Sequence, residues 1–198
     1  MTSIVGTVKD ALVAAGMQEV ISYPLASGAD LHRVGLFDEA EPPLRIANPM
    51  SAGQEYLRPT LRASLLATLA ANEGHSEGPF RLFEVGRVFN PKGGELPEER
   101  DMAAGVLSGR RWDPSWLVDD STLDFYDAKG PIKLVMDDLG ITCVFEPVDD
   151  PFFHPGRCAR IFAGKEYLGI VGEVHPSILD RFDRSEERRV GKECRSRW

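Results

Sequence analysis

Cysteine is scarce in this chain. Its three copies, Cys143, Cys158 and Cys194, are scattered and odd in number. That excludes a disulfide framework and leaves no Cys-x-x-Cys metal pair. A reducing, cytoplasmic compartment is expected. Long apolar runs are also missing: no stretch approaches the roughly 20 residues that a membrane helix needs. The segment Met1-Thr2-Ser3-Ile4-Val5 has neither a basic n-region nor a long apolar core, so no secretory signal is expected. Gly-x-Gly-x-x-Gly, Walker, Gly-x-Ser-x-Gly and His-Glu-x-x-His motifs are absent, as are internal repeats and low-complexity stretches. The common nucleotide, hydrolase and zinc-protease signatures therefore give no lead.

What is present is a globular composition: 198 residues, 42 % apolar and 27 % charged, enough for one domain or one and a half. The net charge is −8, but the last fifteen residues hold six basic and three acidic groups, leaving −11 on residues 1–183. So acidic a body is a poor independent binder of nucleic acid. Residues 184–198 have two readings. One is a basic arm that makes the chain an RNA-binding module. The other is a disordered or non-native end, because the run lacks apolar periodicity and Arg188–Trp198 resembles translated adaptor sequence. On the second reading the chain is a fragment with one core domain, residues 1–183.

Periodicity predicts a helix over residues 3–15, stopped by Gly16, and short strands over 19–25 and 44–47. Pro59 is expected to open a helix striped by Leu61, Leu65, Leu66 and Leu69. Phe80–Phe89 reads as a central strand in which Gly86 marks a bulge or a close backbone approach. A turn at Lys92-Gly93-Gly94 returns the chain through a strand at 102–107. A helix capped by Asp127, strands at 141–146, 157–163 and 167–174, and a last helix from Pro176 follow. The pattern is α+β, with an antiparallel sheet flanked by helices. Phe80, Leu82, Phe83, Val85, Val88 and Phe89 should be buried with Leu65, Leu66, Leu69, Ile170 and Val171.

Two groups of residues carry possible chemistry. Arg81 and Arg87 fall on one face of the central strand and Glu84 on the other. The two arginines either grip a phosphate or carboxylate together, or pair with acidic neighbours. His154 and His175 each precede a proline. With Cys158 they would make a metal site if brought together; otherwise they are turn elements bonded to nearby backbone.

Several segments in order resemble the β subunit of bacterial phenylalanyl-tRNA synthetase. They are Gly16-Met17-Gln18-Glu19-Val20-Ile21-Ser22-Tyr23, Asn48-Pro49-Met50-Ser51, Leu57-Arg58-Pro59-Thr60-Leu61 and Arg81–Phe89. Pro97-Glu98-Glu99-Arg100, Phe153-His154-Pro155-Gly156-Arg157 and Gly169–Pro176 complete the set. The resemblance implies a truncated class II aminoacyl-tRNA synthetase-like core without catalytic residues of its own. It resembles a duplicated copy of the α subunit's catalytic domain. On that mapping Asn90 stands where the motif 2 arginine would neutralise the α-phosphate, a role a neutral amide fills poorly. The polar segment that would read substrate becomes Ala103–Gly109. Arg81, Glu84, Arg87, Asn90, His154, Arg157 and His175 are then remnants of a degenerate site or interface candidates. The resemblance also implies assembly with the α subunit in an α2β2 heterotetramer, and tRNA as partner of the complete enzyme. ATP and Mg²⁺ would be used by the complete enzyme, with no catalytic, cofactor-binding or metal residue on this chain. A self-sufficient adenylate-forming enzyme is the alternative, and it would need Arg81 and Arg87 to act together.

Overall fold

The computed structural model describes residues 3–183, apart from 38–39, 41, 52, 76–77, 93–95, 114 and 118. The expected turn at Gly93-Gly94 and the basic tail lie outside the described residues. Helix α1 (Ile4–Ala14) starts where the Ser3 side chain accepts from the Gly6 amide. It stops at Gly16, whose φ of 79° is left-handed. The chain then crosses β1 (Gln18–Glu19), β2 (Leu25–Ala26), α2 (Gly28–Arg33) and β3 (Tyr56–Leu57) to reach α3 (Arg62–Glu73). The long hairpin β4 (Phe80–Asn90) and β5 (Glu98–Ser108) follows, then α4 (Phe125–Asp138). Strands β6 (Val144–Pro147), β7 (Phe153–Ala163) and β8 (Glu166–Val174) precede α5 (Pro176–Asp183).

The single antiparallel sheet expected from the sequence is resolved into three among the described residues. Their orders are β1-β4-β5, β2-β3 and β6-β7-β8. Strand β1 pairs parallel to β4, Gln18 opposite Leu82, because the chain crosses over through α2 and α3 before returning to the same sheet. All other strand pairs are antiparallel. The strand expected at 44–47 is reduced to one bridge, Arg45 to Tyr56.

Both three-stranded sheets sit between helices. One face of β4 carries Phe83 and Val85 into a cluster with Ala11 and Leu12 of α1 and Val135 of α4. The opposite face carries Val88 against Leu61 and Leu65. Helix α4 serves both sheets: Leu134 and Val135 face β4 and β5, while Ala128 and Ile132 pack on Ala159, Ile161 and Val171. The other face of the β7–β8 pair joins α2, α3 and α5 in a cluster with Leu31, Leu66, Phe153, Ile178 and Phe182. Leu82, Phe83, Val88, Leu65, Leu66, Leu69 and Val171 are buried as expected, whereas Phe80, Val85, Phe89 and Ile170 are half-buried.

Candidate functional site

The most enclosed polar cluster lies on the face of β4 that bears Glu84. Pro59 restricts Arg58 to extended backbone. Two hydrogen bonds then fix that backbone, from the Arg58 amide to Pro24 and from the Phe89 amide to the Arg58 carbonyl. Its guanidinium is thereby delivered across β4. Nη1 donates to Glu84 Oε1 at 2.6 Å and to Ser22 Oγ at 2.9 Å, and Nε donates to the Arg87 carbonyl at 2.9 Å. Ser22 closes the network through its hydroxyl, 2.7 Å from Glu84 Oε2, and its amide, 3.3 Å from Oε1. Arg58 is 5 % exposed and Glu84 3 %. Gly86 is what lets the guanidinium in: a Cβ there would stand 2.3 Å from Arg58 Nη2. The β4–β5 register runs unbroken through Gly86, so the glycine marks a close approach and not a bulge.

Asn90 lies on the same face by strand alternation, and its Nδ2 is buried without a hydrogen-bond partner. Arg58, the cation beside Glu84, is already committed to it. Arg81 and Arg87 share the opposite face but are six residues apart, about 20 Å along an extended strand. Arg87 is exposed and pairs with Glu99 and Asp101 of β5, whose hydrogen bonds raise its pKa. Arg81 donates Nη2 to the Arg111 carbonyl at 2.8 Å. The joint grip on one phosphate is therefore overturned by distance and by these partners. The residues present do not fit a nucleotide.

His154 and His175 are brought together at one end of the β7–β8 pair, with ring centroids 6.4 Å apart. Phe153 pairs with Val174 and Cys158 with Gly172, so residues 154–157 form an enlarged bulge, with Gly156 at φ 75°. His154 Nδ1 lies 2.8 Å from the Pro155 carbonyl, so it is the protonated nitrogen. His175 Nδ1 accepts from the Ser177 amide at the start of α5. Arg157 pairs with Glu173 at 2.6 Å. Cys158 does not join the histidines. It is buried in the core, where desolvation above all, with Asp150 adding to it, pushes its thiol up to about 11. Among the described residues no group of three His, Cys, Asp or Glu is placed to hold a metal ion.

On the far side of β4 a cleft of about 280 Å³ is walled by Ala15, Leu107, Pro131 and Leu134, with Arg81 and Asp127 as its charged groups. Asp127 is held by Arg111, through Nη2 at 2.8 Å and Nε at 3.1 Å, and it accepts from the Asp124 amide. Asp124 is the true cap of α4, and Asp127 completes the capping box three residues later, which corrects the cap assigned from sequence. Arg58 and Ser22 escaped the sequence reading as site residues, and Asp127 entered it only as a helix cap. Only Gly86, a glycine inside an apolar strand, hinted that something approaches there.

Comparison with known proteins agrees along the chain. A family model described as phenylalanyl tRNA synthetase beta chain CLM domain matches residues 2–190. A phenylalanine–tRNA ligase beta subunit of Dehalococcoides mccartyi is 38 % identical over 172 residues, covering 86 % of this chain and 21 % of the relative. One of Geobacter metallireducens is 36 % identical over 179 residues, covering 88 % and 22 %. The chain thus spans about a fifth of the length of these relatives. Among solved structures, the pyrrolysyl tRNA synthetase PylSc of Desulfitobacterium hafniense superposes with a TM-score of 0.62. It is 14 % identical, and the match covers 91 % of this chain and 60 % of that one. At that identity the likeness is one of fold.

Proposed function

The chain belongs to the phenylalanyl-tRNA synthetase β-chain family, and from that premise we propose that residues 1–183 form a class II synthetase-like core that assembles and does not catalyse. Its partner is the catalytic α subunit of phenylalanine–tRNA ligase, in a cytoplasmic α2β2 heterotetramer. There the complete enzyme uses ATP and Mg²⁺ to attach phenylalanine to its tRNA. The observation that carries this reading is the Arg58–Glu84 pair. The β4 face bearing Asn90, where a nucleotide phosphate would be met, is filled by the chain's own guanidinium. An active site on that face would need an arginine free to meet developing charge. Arg58 is not free, and position 90 is an amide.

Exposed apolar side chains supply the complementary half of the argument. Ile4 and Val13 of α1, with Ile21 and Tyr23 just after β1, are 57–89 % exposed. Obligate interfaces are built from such surface. Arg87 and Arg157, both exposed on their strands, are the charged candidates for the same docking. A self-sufficient adenylate-forming enzyme is disfavoured by the separation of Arg81 from Arg87, and the acidic body disfavours an RNA module.

The test is co-expression of the chain with a cognate α subunit, followed by size-exclusion chromatography with light scattering. A stable complex is expected. The chain alone is expected to give no phenylalanine-dependent pyrophosphate exchange. A monomer that ignores the α subunit, or exchange by the chain alone, overturns the reading.

A further inference from the structure

Helix α5 is too short to hold itself. It has 8 residues, and an isolated helix of that length is not stable in water. Packing holds its inner face: Ile178 and Phe182 are buried with Leu31 and Val34 of α2 and Ala63 and Leu66 of α3. Arg181 adds a bond to the Arg33 carbonyl at 3.0 Å. The first turn depends on one residue, His175.

His175 is fixed before the helix begins, because its amide donates to the Phe152 carbonyl at 2.9 Å. Its own carbonyl accepts from the Ile178 and Leu179 amides. Pro176 follows at the first helical position and has no N–H to satisfy. That leaves the Ser177 amide. It donates to His175 Nδ1 at 3.2 Å, and the Ser177 hydroxyl lies 2.7 Å from the same nitrogen. A ring nitrogen thus takes the part that an N-cap usually gives to a serine or aspartate oxygen. It does so only while it keeps its lone pair. An imidazolium carries N–H on both nitrogens, and its charge falls on the positive end of the helix. The Ser177 hydroxyl can turn round and accept from it. The Ser177 amide cannot.

Charged groups on the packed elements are already engaged or share the same sign. On β7, the His154 ring lies 6.4 Å from that of His175, so a second charge there adds repulsion. Glu173 of β8 is paired with Arg157 of β7 at 2.6 Å. Ahead of β7, Asp150 accepts from the Phe152 amide, and Arg62 of α3 lies over the Phe152 and Phe153 rings. On α2, Arg33 is paired with Asp30 and lies over the Phe182 ring. Asp180 and Arg181 of α5 come more than a turn after the cap.

We propose that His175 is a pH-sensitive latch on α5. The neutral imidazole closes the first turn, and protonation releases the helix from α2 and α3.

Amide hydrogen exchange of the complete chain is the test, with rates corrected for their intrinsic pH dependence. Between about pH 7.5 and about pH 5.5, either side of the ordinary histidine value, protection of the Ile178 and Leu179 amides should fall. The expected fall is about fivefold or more, the worth of one N-cap, while Phe83 and Val85 on β4 keep theirs. In ¹⁵N spectra the Ser177 amide should move with the same midpoint as the His175 ring. His175→Asn keeps a capping acceptor that does not titrate, so its α5 protection should be equal at both pH values. His154→Gln should retain the fall, which separates the cap from the neighbouring ring. The proposal is overturned if the protection of α5 is the same at both pH values, or if β4 loses as much. It is also overturned if His175→Asn loses as much as the parent, if His154→Gln abolishes the fall, or if Ser177 and the His175 ring titrate apart.

Discussion

Removing one partner of the Arg58–Glu84 pair strands the other charge where water hardly reaches. Coulomb attraction in such a site does little more than offset desolvation, so the pair as a whole adds little net stability. Its single deletions are the costly ones. Arg58→Met or Glu84→Gln is expected to destabilise the fold by about 3–5 kcal/mol, read from urea denaturation. The double variant should cost clearly less than the sum, because the second change removes the stranded group. Additive effects would show that the two side chains do not depend on each other. Gly86→Ala should mimic the single deletions, since its Cβ would displace the same guanidinium.

The enlarged bulge in β7 shows how one backbone position sets an element. Gly156 is left-handed and makes room for three extra residues between Phe153 and Cys158. Gly156→Ala should cost about 1–2 kcal/mol, the left-handed penalty of a side chain, measured as a fall in the urea midpoint. An unchanged midpoint would mean that the bulge can relax. Nothing in the one-dimensional pattern announced this bulge. What announced itself was periodicity backed by burial: α1, the β4 strand and α4 fall within two residues of where the apolar spacing puts them. Strand β5 starts four residues before its apolar stretch, because Glu99 and Asp101 pair across the ladder with Arg87. The segment 19–25 breaks into β1 and β2, since each half answers to a different, distant strand. The Arg58 cluster stayed hidden for the same reason. Its members are separated by up to 62 positions, and spacing along the chain carries no sign of that contact.

Across the molecule, α4 is the wall shared by both three-stranded sheets, and Asp127 fastens its first turn to the preceding loop through Arg111. The Asp127 carboxyl is lowered in the folded state. Its contribution is therefore complete above the ordinary carboxylate range and is lost as pH falls through the folded value. Asp127→Asn should lower stability at neutral pH, and the gap from the parent should shrink below about pH 4. Urea midpoints at pH 7 and pH 3 measure it; an equal gap at both would remove Asp127 from the acid response. The parallel pairing of β1 with β4 has a consequence in time. Gln18 must wait for Leu82, and a ribosome adding roughly 5–20 residues per second needs about 3–13 s to supply it. A hairpin such as β4–β5 zips in microseconds once both strands exist. The first helix of the core is thus made well before the sheet it packs on, and until that sheet exists its apolar stripe is open to whatever chaperone waits at the tunnel exit.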